Sequence, residues 1–507
     1  MKIKKLFIAA VCISFVLATL AGVYAAEKPK YGGVLRMIKY SGPGRHIGWH
    51  GKSRNSTGDI SAPALETLVD VKLKGLEVVP KLATAWKTDS DNKTITFFLR
   101  KGVKFHDGTD FNAEAVRWNL DVQKKNKIAG THIWKSIDVI DDYTIRISLT
   151  QWVNTWTSVP LGDLRMISPT AYKTMGEKEI AWHPIGTGPF KFVSHKKDVS
   201  TEFERFDQYW QKGKPYLDGF KWIYIRDRMT QAAGLRAGEA EMLYTQIGKT
   251  VADLQKDGYM VILRHDGYYN FHPDSANPDS PWADKRVRMA FEHAINKEAI
   301  VKTLGYGLMA PANQLAPPYA LGHIPNFKGR RYDPEKAKKL LAEAGYGKGF
   351  KSTIYAFPGS PKNMLLSVQA YCAKVGVDLK IELPDMGRYM SMVGKGWQNG
   401  LLSGPNRIMP NIAETIMLYL HSTSRYHRSQ SRSAELDALV EKAIAASEPD
   451  NRLLEEVCKF IWDNAMAMGT HYTGAVRQFK PDLVRGTGIL EFANKNNWTP
   501  ENAWLNR

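Results

Sequence analysis

Two spacings of apolar residues run through this chain, one suited to strands and one to helices. Residues 82–121, LATAWKTDSDNKTITFFLRKGVKFHDGTDFNAEAVRWNLD, pass from the first to the second. Residues 94–99 are β-branched and aromatic, which predicts a strand. His106-Asp107-Gly108-Thr109-Asp110 predicts a tight polar turn in which Gly108 supplies a positive φ. Asn112 suits a helix N-cap and Glu114 the positive end of the helix dipole. Ala115, Val116 and Leu120 then fall on one apolar stripe.

The rest of the chain reads in the same terms. Residues 143–149 alternate strictly and predict a half-buried strand. A short helix is expected at 63–69, and one helix or two short ones at 166–180. Strands at 201–209, 220–226 and 238–246 enclose a helix at 229–237, and 267–271 predicts a strand crossing to a second block. Val287, Ala290, Phe291, Ala294 and Ile295 form one helical face. Asp333, Pro334 and Glu335 are N-cap, first residue and first-turn acid of another helix, which Gly345 ends. Strands at 352–357 and 377–383 flank a helix at 362–375, a βαβ unit that predicts a parallel sheet. Amphipathic helices at 433–446 and 451–467 precede a return crossover at 476–487. Two separated α/β blocks, joined more than once, predict two lobes with a cleft between them.

A length of 507 residues exceeds one core and predicts two or three domains. Hydrophobic residues at 43% and charged ones at 24% are ordinary for a soluble globular protein. Lys2, Lys4 and Lys5, the apolar run at 6–20 and the small residues of Val23-Tyr24-Ala25 predict a signal peptide, residues 1–25, cut after Ala25. The alternative is an uncleaved anchor, because the run is nearly long enough to span. The expected location is the periplasm. Loss of those three lysines takes the formal charge from +19 to +16. The basic residues are scattered, without a zinc or recognition-helix pattern, so no nucleic-acid partner is expected. Cys372 and Cys458 sit in apolar helical contexts and are expected as buried free thiols.

No GxSxG elbow, HExxH or paired-cysteine spacing occurs, so catalysis and a cofactor are not expected. His46 and His50 are four apart with Gly48 between them, a poor metal pair without a third ligand. Pro184-Ile185-Gly186-Thr187-Gly188-Pro189-Phe190 departs from GxGxxG and lacks a following Lys-Ser or Lys-Thr, so it reads as a turn.

The segment AWKTDSDNKTITFFLRKGVKFHDGTDFNAEAVRWNLD resembles the signature of the extracellular solute-binding proteins, family 5, the dipeptide, oligopeptide and nickel receptors of bacterial ABC importers. GGVLRM at 32–37, GTGPF at 186–190, GEAEMLYTQI at 238–247 and DKRVRMAFEHAINKEAIV at 284–301 resemble that family in turn. The resemblance covers essentially the whole mature chain. It implies a two-lobed α/β periplasmic binding protein with an inserted subdomain. Lobe I is expected from 26–58, 186–268 and 475–507, the subdomain from 59–185, and lobe II from 269–474. It further implies a monomer that captures a small solute by lobe closure and delivers it to an inner-membrane ABC permease. A secreted hydrolase and a nickel or metal-complex receptor are the alternatives.

The resemblance also places a loop with Tyr40, Arg45, His46 and Trp49 at the cleft. Tyr244 and Gln246, past the carboxyl end of a strand, and Tyr269 are further candidates. Peptide receptors of the family carry an aspartate for the ligand's amino group in a W-x-G-D…D-P loop. Here Pro405 stands in its place and Met409 replaces the second acid. Arg407 adds a positive charge. A buried ammonium without a counter-charge is costly, so the expected ligand is neutral or anionic: peptide-like, an oligosaccharide or an organic acid. Asn406, Arg407, Gln246 and Trp397 are the expected contacts.

Overall fold

The computed structural model describes residues 27–43, 46–48, 58–128, 130–157, 161 and 164–507. The expected signal peptide lies outside the described residues. Two large sheets organise the rest. The first has seven strands in the order Met260–Leu263, Ala475–Phe479, Met242–Gln246, Val34–Lys39, Gly219–Tyr224, Ser200–Arg205 and Phe190–Lys196. Its central three are parallel, so their carboxyl ends share one edge. The second has six strands in the order Ala310–Pro311, Met468–Thr473, Gly267–Pro273, Gly400–Arg407, Phe350–Ala356 and Val377–Glu382. The last three are parallel, as the βαβ pattern predicts.

The chain passes between the sheets twice. Residues 264–266 lead out to Gly267–Pro273, and Gly474 alone separates Met468–Thr473 from the returning Ala475–Phe479. A Cβ on Gly474 would stand 1.9 Å from the Arg264 carbonyl oxygen. Only a residue without a side chain lets the two crossings lie so close.

A four-stranded antiparallel sheet, ordered Ala83–Asp89, Thr94–Leu99, Thr144–Leu149 and Trp134–Asp141, makes a smaller unit beside the first lobe. Asn112 caps the helix Ala113–Lys125, its Oδ1 accepting from the Ala115 amide at 2.9 Å. The His106 turn docks on the Gly186–Thr187–Gly188 turn. The His106 Nε2–H donates to the Gly188 carbonyl at 2.9 Å, and Nδ1 accepts from the Gly186 amide at 3.4 Å. Burial pushes this imidazole down to about 4. Cys372 and Cys458 are free and buried.

Two expectations fail. Residues 63–69 form no helix. The Pro63 and Ala64 carbonyls accept instead from the amides of Phe190 and Gly188, and Val69 starts the strand Val69–Val71. The stretch with Pro405, Asn406 and Arg407, expected as part of a loop, is the end of the strand Gly400–Arg407, with Met409 just beyond it. Proline is tolerated there because the neighbouring parallel strand pairs only as far as Ser403, two residues before Pro405.

The small unit also reaches the second lobe. Trp152 Nε1 donates to the Ala446 carbonyl at 3.0 Å and Asn154 Nδ2 to Ala443 at 2.8 Å. The Asn154 amide donates to Ile444 at 2.8 Å. These carbonyls end the helix Ala434–Ala445, where they lack partners of their own. Beneath them one hydrophobic cluster runs from Phe97 and Trp156 to Ile412 and Ile461.

Replacing Gly474 by Ala destabilises the protein by about 1–3 kcal/mol through overpacking, measured by denaturant unfolding. An unfolded His titrates near about 6.5 and His106 near about 4, so the folded chain favours the neutral ring. Its contribution is complete above that upper value and is lost as pH falls through the lower one. His106→Gln therefore reduces the stability lost between neutral pH and the lower value by on the order of 2 kcal/mol, read from unfolding midpoints across pH.

Candidate functional site

The parallel strands of both sheets point their carboxyl ends into the gap between lobes, the usual place for a ligand in α/β sheets. A cavity of about 770 Å³ opens there. Tyr244, Gln246 and Arg228 line it from the first lobe. Tyr269, Phe357, Ser360, Pro405, Arg407 and His471 line it from the second. Asp266, Gly474 and Ala475, at the two crossings, complete it.

Tyr269 is buried and its ring stacks on His471, with centroids 5.5 Å apart and planes 11° from parallel. Its hydroxyl donates to Ser360 Oγ at 2.6 Å. Burial pushes the His471 imidazole down to about 4, so this wall is uncharged at neutral pH. Burial likewise raises the phenol pKa values of Tyr269 and Tyr244, leaving both protonated and able to donate.

The charges around the cavity are mostly positive. Among the described residues Arg228, Lys249, Lys362 and Arg407 line it, against one carboxylate, Asp266. Arg264 stands 3.6 Å from Asp266. Lys249 bonds Asp253 at 2.7 Å. Arg228 donates to Gln246 Oε1 at 2.9 Å, and Arg407 to Asn494 Oδ1 at 3.4 Å. Neither bond neutralises its guanidinium. A second cavity, of about 410 Å³, lies where the small unit faces the second lobe, lined by Trp86, Trp156, Tyr419 and Glu414. Arg407 lines both cavities.

Five of the ten sequence candidates thus meet at one cavity: Tyr244, Gln246, Tyr269, Asn406 and Arg407. The Asn406 side chain does not face it with the others. In the strand pairing Asn406 lies opposite Tyr268, on the face away from Tyr269 and Pro405. There its Oδ1 is 3.0 Å from His272 Nε2. Trp397 lines neither cavity. It packs with Tyr389, Val393 and Leu402, and its indole N–H donates to the Gly400 carbonyl at 3.1 Å. Its place is the core, because a bulky ring with one satisfied donor is best buried. Tyr40 is 54% exposed and lines neither cavity. His46 meets the Trp182 ring edge to face at 5.0 Å, outside both. Arg45 and Trp49 lie outside the described residues, as does His50. Among the described residues no group of three His, Cys, Asp or Glu side chains is arranged to hold a metal. Arg228, Lys249 and Lys362 were not singled out in the sequence. They flank helix starts, and nothing in their local spacing marks them.

The family described as "Bacterial extracellular solute-binding proteins, family 5 Middle" matches residues 77–416. The chain belongs to this family. The glutathione-binding protein GsiB of Shigella flexneri serotype 5b (strain 8401) is 33% identical over 337 residues, 64% of each chain. The match therefore spans less than two thirds of that relative's length. Among solved structures, the periplasmic binding protein DppA from Helicobacter pylori, in complex with the peptide STSA, is similar with a TM-score of 0.79 and 25% identity. That match covers 94% of this chain and 99% of DppA. NikA from Brucella suis, in complex with Fe(III)-EDTA, has a TM-score of 0.80 at 23% identity over 92% and 100% of the two chains. The fold of this family is the two-lobed α/β binding protein seen here. No described helix is long and apolar enough to cross a membrane.

Trp397→Leu lowers the unfolding midpoint, since large aromatic truncations in cores cost about 3–5 kcal/mol. Measured well below that midpoint, it leaves the affinity of the wild-type ligand unchanged. A loss of affinity without a loss of stability would return Trp397 to the ligand site.

Proposed function

We propose that the protein is a periplasmic receptor of an ABC importer that closes its lobes on a small anionic solute and hands it, unaltered, to a membrane permease. The observation that carries this is the interlobe cavity of about 770 Å³, whose floor is the two crossings and whose charged wall is mainly cationic. Its size lies within the usual range for small-ligand sites, about 300–1,000 Å³. A ligand that touches both lobes binds the closed state better than the open one and shifts the balance toward it. The reading divides the chain at the crossings, with the insertion at 59–185 moving with lobe I. Export by a cleaved signal peptide and a monomeric state belong to the same reading.

The ligand class follows from the charges. Arg407 is half-buried between two cavities, and Pro405 offers no counter-charge for an ammonium beside it. An anionic group facing Arg407 and Arg228 makes charge-assisted hydrogen bonds worth about 1.5–3 kcal/mol each. The relatives fit such a class in part: one is named for glutathione, and one structure holds the chelate Fe(III)-EDTA.

Native mass spectrometry of the exported protein should reveal a bound anion of low mass. Glutathione, Fe(III)-EDTA and an uncharged dipeptide amide then serve as calorimetric probes. The anions are expected to bind and to compact the protein in X-ray scattering. Arg407→Met should weaken binding about 10-fold or more. Preference for the uncharged amide, or a ligand returned chemically changed, would overturn the reading.

A further inference from the structure

Arg477 lies in the returning strand Ala475–Phe479, opposite Tyr244, and is only 5% exposed. Its guanidinium carbon lies over two rings, 4.8 Å from the centroid of Tyr244 and 5.0 Å from that of Trp498. Its Nε and Nη2 are buried and have no hydrogen-bond partner among the described residues. A guanidinium carries five donors and remains charged. Buried charges are otherwise paired and hydrogen-bonded.

The surrounding charges do not supply the missing partner. Asp59 and Asp266 are the nearby carboxylates. Asp59 forms an ion pair with Lys39, and Asp266 stands against Arg264. Among the described residues three cations thus face two carboxylates, and Arg477 has no hydrogen-bonded counter-charge at Nε or Nη2. Burial pulls its pKa downward, the direction expected of a charge without a full counterpart.

A small cavity touches this side chain. It holds about 10 Å³ between the two crossings and is lined by Tyr244, Arg264, Asp266, Ala475 and Arg477. That is room for about one water-sized group. Tyr244, Asp266 and Ala475 also line the large interlobe cavity, so the two spaces adjoin.

We propose that Arg477 and this cavity form an anion subsite at the crossings, which takes one monovalent anion, either a carboxylate that inserts one oxygen from the adjoining interlobe cavity or a halide. The planar fork of Arg477 supplies the donors and the two rings hold it in place. The occupant bonds Arg477 from between the crossing segments.

The test uses the full mature chain. Sodium bromide and sodium formate are titrated at constant ionic strength, with sulfate as the balancing anion. In the wild type the unfolding midpoint should rise with saturation, by about 1–2 °C at about ten times the dissociation constant. Arg477→Met, which removes the charge but keeps an apolar stem against the rings, should lose the response. It should be no less stable than the wild type at low bromide, because an unpaired buried charge has gone. Arg477→Lys should keep a weaker response. Crystals grown in bromide should show anomalous density beside Arg477. An equal response in wild type and Arg477→Met, or an ordered water alone at that place, would overturn the subsite. A second arm separates the two sources and rests on the receptor reading. If bromide weakens glutathione binding about in proportion to its occupancy, a ligand carboxylate uses the subsite. If it does not, a free anion does.

Discussion

The structure turns on the close passage of two chain crossings, one at residues 264–266 and one at Gly474. A hinge needs segments that can change direction without dragging side chains past one another. Gly474 meets that need because the Arg264 carbonyl fills the volume a Cβ would take. The second sheet starts and stops at this point and the first is interrupted there, and the parallel strands of both open toward it. The ligand cavity is therefore a product of where the crossings fall. On the proposed receptor reading its floor moves with the crossings, which ties occupancy of the cavity to the angle between the lobes.

A second contact, between the small antiparallel unit and the second lobe, is made away from the crossings' residues. Trp152 and Asn154 of the small antiparallel unit supply donors to the last carbonyls of Ala434–Ala445. On the proposed receptor reading, opening of the lobes takes these partners away and the carbonyls must find water. Each such bond contributes about 0.5–1.5 kcal/mol net. The arrangement in the structure therefore carries a stabilisation of its own without a ligand, added to the hydrophobic cluster shared across the same seam. Ligand affinity in such a molecule reflects this contact as well as the cavity walls.

Local rules made the secondary structure largely legible, and the site much less so. Asn112, Asp333 and the βαβ unit announce themselves through caps and periodicity, which depend on neighbours in sequence. The loop expected at Pro405 came from the family resemblance, while a strand is allowed there by where a neighbouring strand stops pairing. Asn406 and Arg407 are adjacent in sequence but point to opposite faces of one strand, which no reading of a loop anticipates. Trp397 was drawn toward the cleft by its size, yet Tyr389 and Leu402 claim it for the core. Arg477 looked like any residue in a returning strand. Its isolation arises from partners at Lys39, Asp59 and Arg264, all distant in sequence.

The strand order carries one more implication, for the time course of folding. The first sheet begins at Val34 and receives Ala475–Phe479 between Met242–Gln246 and Met260–Leu263. It stays incomplete, with two exposed edges, until most of the polypeptide has been made. The second sheet lies wholly within residues 267–473. Its Gly267 pairs with Thr473, nearly as far along the chain as Met242 from Phe479, so both sheets wait for the same late pair of strands. A nascent chain of this design holds an unfinished adhesive surface for most of its synthesis, which makes it a natural client for holding chaperones.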